Sequence, residues 1–160
     1  MRLNPSPRFT AALALAFAAL TLGGPSARSD DRDGEVKFNE IRFDILGLRN
    51  DHGVVTCLLF NSADGYPADA TKAVARFKSI IEHGRAACTF DDPRAGTYAL
   101  AFIHDENENG KLDTNFLGIP AEGIGASNDA HGPLGRAGWD EAKFEHQSGL
   151  QSLQLHAKYF

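Results

Sequence analysis

Residues 98–113 read Tyr98-Ala99-Leu100-Ala101-Phe102-Ile103-His104-Asp105-Glu106-Asn107-Glu108-Asn109-Gly110-Lys111-Leu112-Asp113, and this stretch decides the fold. In its first half Tyr98, Leu100 and Phe102 alternate with Ala99, Ala101 and Ile103, the period of a β-strand with two different faces. In its second half oxygen-bearing side chains stand at every second position. Counting from Asp105, they fall at positions 1, 3, 5 and 9, Gly110 is at position 6, and Lys111 at position 7 offers its carbonyl, as in the first part of an EF-hand calcium loop. Position 12, where such a loop carries a bidentate Glu, is Phe116, and a strand rather than a helix leads in. The expectation is a metal-binding turn at the end of a strand in a β protein.

Calcium takes six to eight hard oxygen ligands. Asp105, Asn107, Asn109, Asp113 and the Lys111 carbonyl supply five, so a distant carboxylate is expected to complete the shell, with Glu122 as the candidate and Asp129 in reserve. Two carboxylates in the loop imply an extracellular-type affinity, on the order of 10⁻⁴–10⁻³ M. The alternative is a solvated turn, which Asn-Gly and Asp form without metal.

Other strands follow from the same alternation. Ile41-Arg42-Phe43-Asp44-Ile45 alternates apolar and charged residues, and Val54–Phe60 is apolar apart from Thr56, as expected of a strand covered on both faces. Leu48–Gly53 and Asn61–Pro67 are turns by composition. One or two helical turns are expected at Asp69–Ala75, then strands at Arg76–Glu82 and Ala86–Phe90 joined through Gly84. Phe116–Trp139, rich in Gly and containing Pro120 and Pro133, has no period and reads as one long irregular loop. Glu141–Glu145 and a last strand over Leu150–Tyr159 close the chain. About seven strands and little helix predict an all-β fold, an antiparallel β-sandwich of immunoglobulin or prealbumin type.

Residues 1–29 have the pattern of a signal peptide: Arg2 and Arg8 flank an apolar run from Ala11 to Leu22 that Gly23-Gly24-Pro25 ends. Cleavage is expected after Ser26 or Ser29, then a disordered lead-in at 30–36 and one domain over 37–160, with no membrane span after cleavage. Removing Arg2, Arg8 and Arg28 moves the formal charge from −5 to −8, which argues against nucleic acid as a partner. The expected setting is periplasmic or secreted, where Cys57 and Cys88 would form a disulfide. Two buried free thiols are the alternative, since pairing needs Cα atoms within about 7 Å.

Catalytic motifs are weak. His104 and Asp105, as strand neighbours, point to opposite faces and make no dyad; a packing or capping histidine is expected. None of the six histidines has a close His or Cys at a zinc-ligand spacing. Glu106 and Glu108 are expected to face solvent. Trp139, Phe116 and Tyr66 fall in loops, where they either meet a carbohydrate or peptide or cover the end of a core.

The run from His104 to Asn115, then Gly118-Ile119-Pro120, Glu122-Gly123 and Ser127-Asn128, with Gly96-Thr97-Tyr98-Ala99 before it and Tyr159 at the end, resembles domain of unknown function family 2141, exported bacterial proteins. A looser similarity runs to prealbumin-like surface domains that carry an Asp-x-Asn-x-Asp-Gly calcium loop. The resemblance implies an exported β domain without an assigned activity. Together the expectation is a binding or structural module of the cell envelope with a protein or carbohydrate partner and a bound Ca²⁺. The competing class is a small periplasmic metal-dependent hydrolase using the same loop.

Overall fold

The computed structural model describes residues 39–160; the expected leader at 1–29 and lead-in at 30–36 lie outside them. Eight strands form: β1 (Glu40–Leu46), β2 (Val54–Phe60), β3 (Ala75–Ser79), β4 (Ala86–Asp91), β5 (Gly96–Asp105), β6 (Gly123–Ala126), β7 (Phe144–His146) and β8 (Leu150–His156). One sheet has the order β4-β1-β8; the other runs β3-β2-β5-β6, with β7 also pairing on β5. The fold is all-β and sandwich-like. All pairings are antiparallel except β1 with β8, which is parallel.

Alternation along the strands builds the core. Ile41, Phe43 and Ile45 of β1 are fully buried while Arg42 and Asp44 turn outward. Opposite them stand Val55, Cys57 and Leu59 of β2 and Leu100 and Phe102 of β5, joined by Cys88 and Phe90 of β4 and Leu155 of β8. Removing side chains of this size from water stabilises the fold by roughly 1.5–3 kcal/mol each. The Cys57–Cys88 disulfide, with Cα atoms 6.5 Å apart, ties the larger sheet to the smaller through this core. Bridge and core therefore hold the same two layers together.

Three expectations change. The segment 69–74 makes turns, not helix, and β3 is short, covering 75–79. The His83-Gly84 turn does not join β3 and β4 as a hairpin beyond the isolated Glu82–Arg85 bridge, because β4 leaves to pair with β1 in the other sheet. The closing segment Glu141–Glu145, to which the sequence pattern assigns no element, is divided between a single helical turn, α1 (Trp139–Ala142), and β7. Finally, the region read as one irregular loop contains β6. Its Gly-Ile-Gly-Ala sequence hides the strand pattern because a Cβ at Gly123 would lie 2.5–2.6 Å from the Tyr159 ring. An aromatic ring occupies the place of the missing side chain.

The disulfide closes a loop from residue 57 to residue 88, and in the chain-entropy model such a loop contributes roughly 3–4 kcal/mol. Replacing both cysteines by alanine is expected to lower the unfolding free energy in urea by at least that amount, since a cavity is added. A loss below about 1 kcal/mol would contradict the assigned role.

Candidate functional site

Strand β5 ends by sending consecutive residues to opposite faces. His104 points inward and is fully buried. Its Nε2 lies 2.8 Å from the His52 carbonyl, which can only accept, so Nε2 carries the proton in the neutral ring. Nδ1, 2.7 Å from the Tyr159 hydroxyl, then accepts from it, and the Tyr159 oxygen accepts in turn from the Arg49 backbone N–H at 3.1 Å. With both nitrogens engaged and solvent excluded, His104 is a structural group that fixes the C-terminal segment to the end of the core.

Asp105, also fully buried, turns to the other face and starts the loop. Its Oδ1 accepts from the Asn109 N–H at 3.0 Å and its Oδ2 from the Gly110 N–H at 2.8 Å. The loop wraps through positive φ at Glu108 (57°) and Gly110 (76°), where glycine carries no steric penalty. Asn107 Oδ1 accepts from the Asn109 N–H at 3.1 Å, and Asn109 Oδ1 from the Lys111 N–H at 2.8 Å. Both amide nitrogens converge on Asp113: Asn107 Nδ2 donates to Oδ2 at 2.7 Å, and Asn109 Nδ2 donates to Oδ1 and Oδ2 at 3.0 and 3.1 Å. Asn107, Asn109 and Asp113 are thus brought together, and Asp105 is bound to the backbone of the same turn.

Glu122 meets the loop at its main chain. Nearly buried, at 5% exposure, it accepts from the Glu106 N–H at 2.9 Å and from the Asp113 N–H at 3.0 Å. The carboxylate clasps both ends of the turn. Asp129 lies elsewhere: its carboxylate accepts from the His156 backbone N–H at 2.7 Å and faces the His156 ring at 2.8 Å.

Glu106 does not face solvent as expected. It pairs with the Arg49 guanidinium at 2.7 Å and accepts from Asn50 Nδ2 at 3.2 Å, while Arg49 also lies over the Tyr159 ring, 4.7 Å from its centroid. Burial pushes the Glu106 carboxyl up, but the hydrogen bonds from Arg49 and Asn50 and the Arg49 charge outweigh it and hold the group below its ordinary value. Nothing in the local sequence signals this contact, because Arg49 and Asn50 come from the β1–β2 turn. Tyr66 packs edge-on against Phe60 and Trp139, so both loop aromatics cover the sheet. Phe116 is 94% exposed.

Among the described residues no three His, Cys, Asp or Glu side chains gather to hold a metal ion. A cation at this loop must therefore draw on Asn amide oxygens and a main-chain carbonyl, an all-oxygen set that suits calcium.

Two outcomes follow from this geometry. Glu122→Ala leaves two amides of a clasped turn without acceptors and is expected to cost about 2–4 kcal/mol, charged acceptors being the stronger kind; hydrogen exchange at the Glu106 and Asp113 amides should accelerate beyond the global change. Equal protection at those amides in both proteins would refute the clasp. A folded pKa below the unfolded value means that the stabilisation from Glu106 is present above the ordinary carboxyl value of 4.5 and is lost as pH falls through the depressed one. Glu106→Gln should therefore flatten the acid limb of the stability profile.

No curated protein and no solved structure matches the chain. A family model matches residues 30–154, a span that contains the 104–128 segment and its β5 lead-in. The chain belongs to domain of unknown function family 2141, described as an uncharacterized protein conserved in bacteria.

Proposed function

We propose that this protein is an exported β-sandwich module, binding or structural rather than catalytic, whose loop at 105–113 takes up a calcium ion. The observation that carries the metal reading is the convergence of Asn107, Asn109 and Asp113 beside the buried Asp105. Among the described residues no Lys or Arg pairs with either aspartate, although ion pairs form elsewhere on the surface. Two carboxylates on one short turn repel each other, and a divalent cation relieves that repulsion.

The amide and carboxylate oxygens that accept backbone N–H groups each keep a second lone pair, which a cation can use without breaking the turn. Asp105, Asn107, Asn109, Asp113 and the Lys111 carbonyl would hold the ion. Glu122 would act on the same shell, by direct ligation or by fixing the two ends of the turn.

Export is supported by the leader pattern at 1–29 and by the disulfide, which needs an oxidising compartment. No helix of the described residues is long and apolar enough to cross a membrane. A role without catalysis fits a histidine whose two nitrogens are both committed to the fold.

The test is a thermal melt in chelator and in 10 mM calcium. A ligand that binds only the native state adds about 2.7 kcal/mol at 100 times its dissociation constant, which for a domain of this size is roughly 10 °C. Asp113→Ala should remove the response while changing the melting temperature in chelator by only a few degrees. An unchanged wild-type melting temperature at 10 mM calcium would leave the loop as a self-closed turn and end the metal reading.

A further inference from the structure

The outward face of the larger sheet carries a second feature, apart from the loop's oxygens. Strand register sets Lys78, Thr56, Ile103 and Ile124 in one row across β3, β2, β5 and β6, and Arg76, Leu58, Ala101 and Ala126 in the next. Each row runs from a cation on the edge strand to apolar residues in the middle of the sheet. Over these rows lies a cavity of about 430 Å³, walled in part by Gly110–Leu112 and by Arg136, within the size range of small-ligand sites.

Its charge is the opposite of the protein's. Arg76, Lys78, Lys111 and Arg136 line the cavity and no carboxylate does, in a chain whose formal net charge is −5. Among the described residues none of the four takes part in an ion pair, whereas Arg42, Arg49, Lys72 and Lys143 all do. Thr56, on the floor, is 8% exposed, and its Oγ1 has no hydrogen-bond partner. A hydroxyl left this way inside a fold is uncommon, because burying it unpaired is unfavourable. Thr56 borders the space that the cations line, and its hydroxyl is a donor that no protein group uses.

We propose that this cavity binds a small amphiphilic anion, a single negatively charged head on an apolar tail. Arg76 and Lys78 would hold the head by charge-assisted hydrogen bonds, Thr56 would donate to it from below, and Leu58, Ala101 and Ile103 would lie along the tail. Lys111 and Leu112 belong to the loop of the metal reading, so an ordered loop would firm one wall. The inference does not rest on that reading and is tested without calcium.

The experiment is isothermal titration of the mature protein in chelator with decanoate and with decyl phosphate below their critical micelle concentrations, against decanol and acetate as tail-only and head-only controls. Either anion is expected to bind one to one, with both controls at least tenfold weaker. Arg76→Gln with Lys78→Gln should weaken the anion at least tenfold at an unchanged melting temperature, since both side chains are exposed on an edge strand. Thr56→Val, close in shape, should weaken it severalfold. Absence of binding by both anions, decanol binding as tightly as they do, or full affinity in the Arg76/Lys78 variant would each overturn the proposal.

Discussion

The period-two alternation of β5 is the constraint from which the rest of the structure follows. This strand pairs with β2 on one side and with both β6 and β7 on the other, so its two faces are set by three neighbours at once. Its inward residues, Leu100 and Phe102, lie in the core, and His104 closes the end of that core. Its outward residues, Ala101 and Ile103, floor the cavity, and Asp105 opens the loop. A slip of one residue would exchange the two sets. It would place a carboxylate in the core and a phenylalanine on the outward face.

Buried charge is handled by main-chain dipoles rather than by ion pairs. Asp105 and Glu122 are both nearly inaccessible, and each holds two backbone N–H groups. Backbone donors are fixed by the fold and lose little entropy when they bond, so the cost of taking a carboxylate from water is offset without ordering a long basic side chain. The arrangement also leaves lone pairs on the acidic oxygens. Arg49 does pair, binding Glu106 outside the turn, and is held over Tyr159. The C-terminal segment, the β1–β2 turn and the start of the loop are thereby fixed together.

The loop and the cavity share a boundary, which gives the outward face of the larger sheet its character. Tyr66 and Trp139 cover one end of that face over Phe60, and the 105–114 segment borders the other. Between them Thr56, Leu58, Ala101 and Ile103 line the floor of the cavity. Acidic and amide groups gather within the turn, while cations line the space beside it. Opposite charges are thus separated across a few residues of one segment, with Lys111 bordering the cavity and its carbonyl belonging to the proposed ion shell.

By itself the sequence determined the local features: the strand at 54–60, the alternation of 41–45 and 98–103, the turn at Gly110 and the divergence of His104 and Asp105 to opposite faces. These depend on period and on turn chemistry, which are properties of neighbouring residues. It also marked the residues of the loop, because their two-residue spacing is itself the signal. Only the tertiary structure decided the parallel pairing of β1 with β8, the crossing from β3 to β4 between sheets, the strand hidden in Gly-Ile-Gly-Ala, the attachment of Glu122 to the main chain and the pairing of Glu106 with Arg49. Each of these joins segments far apart in the chain, and no local pattern encodes which distant residue will fill the space beside a glycine or a carboxylate.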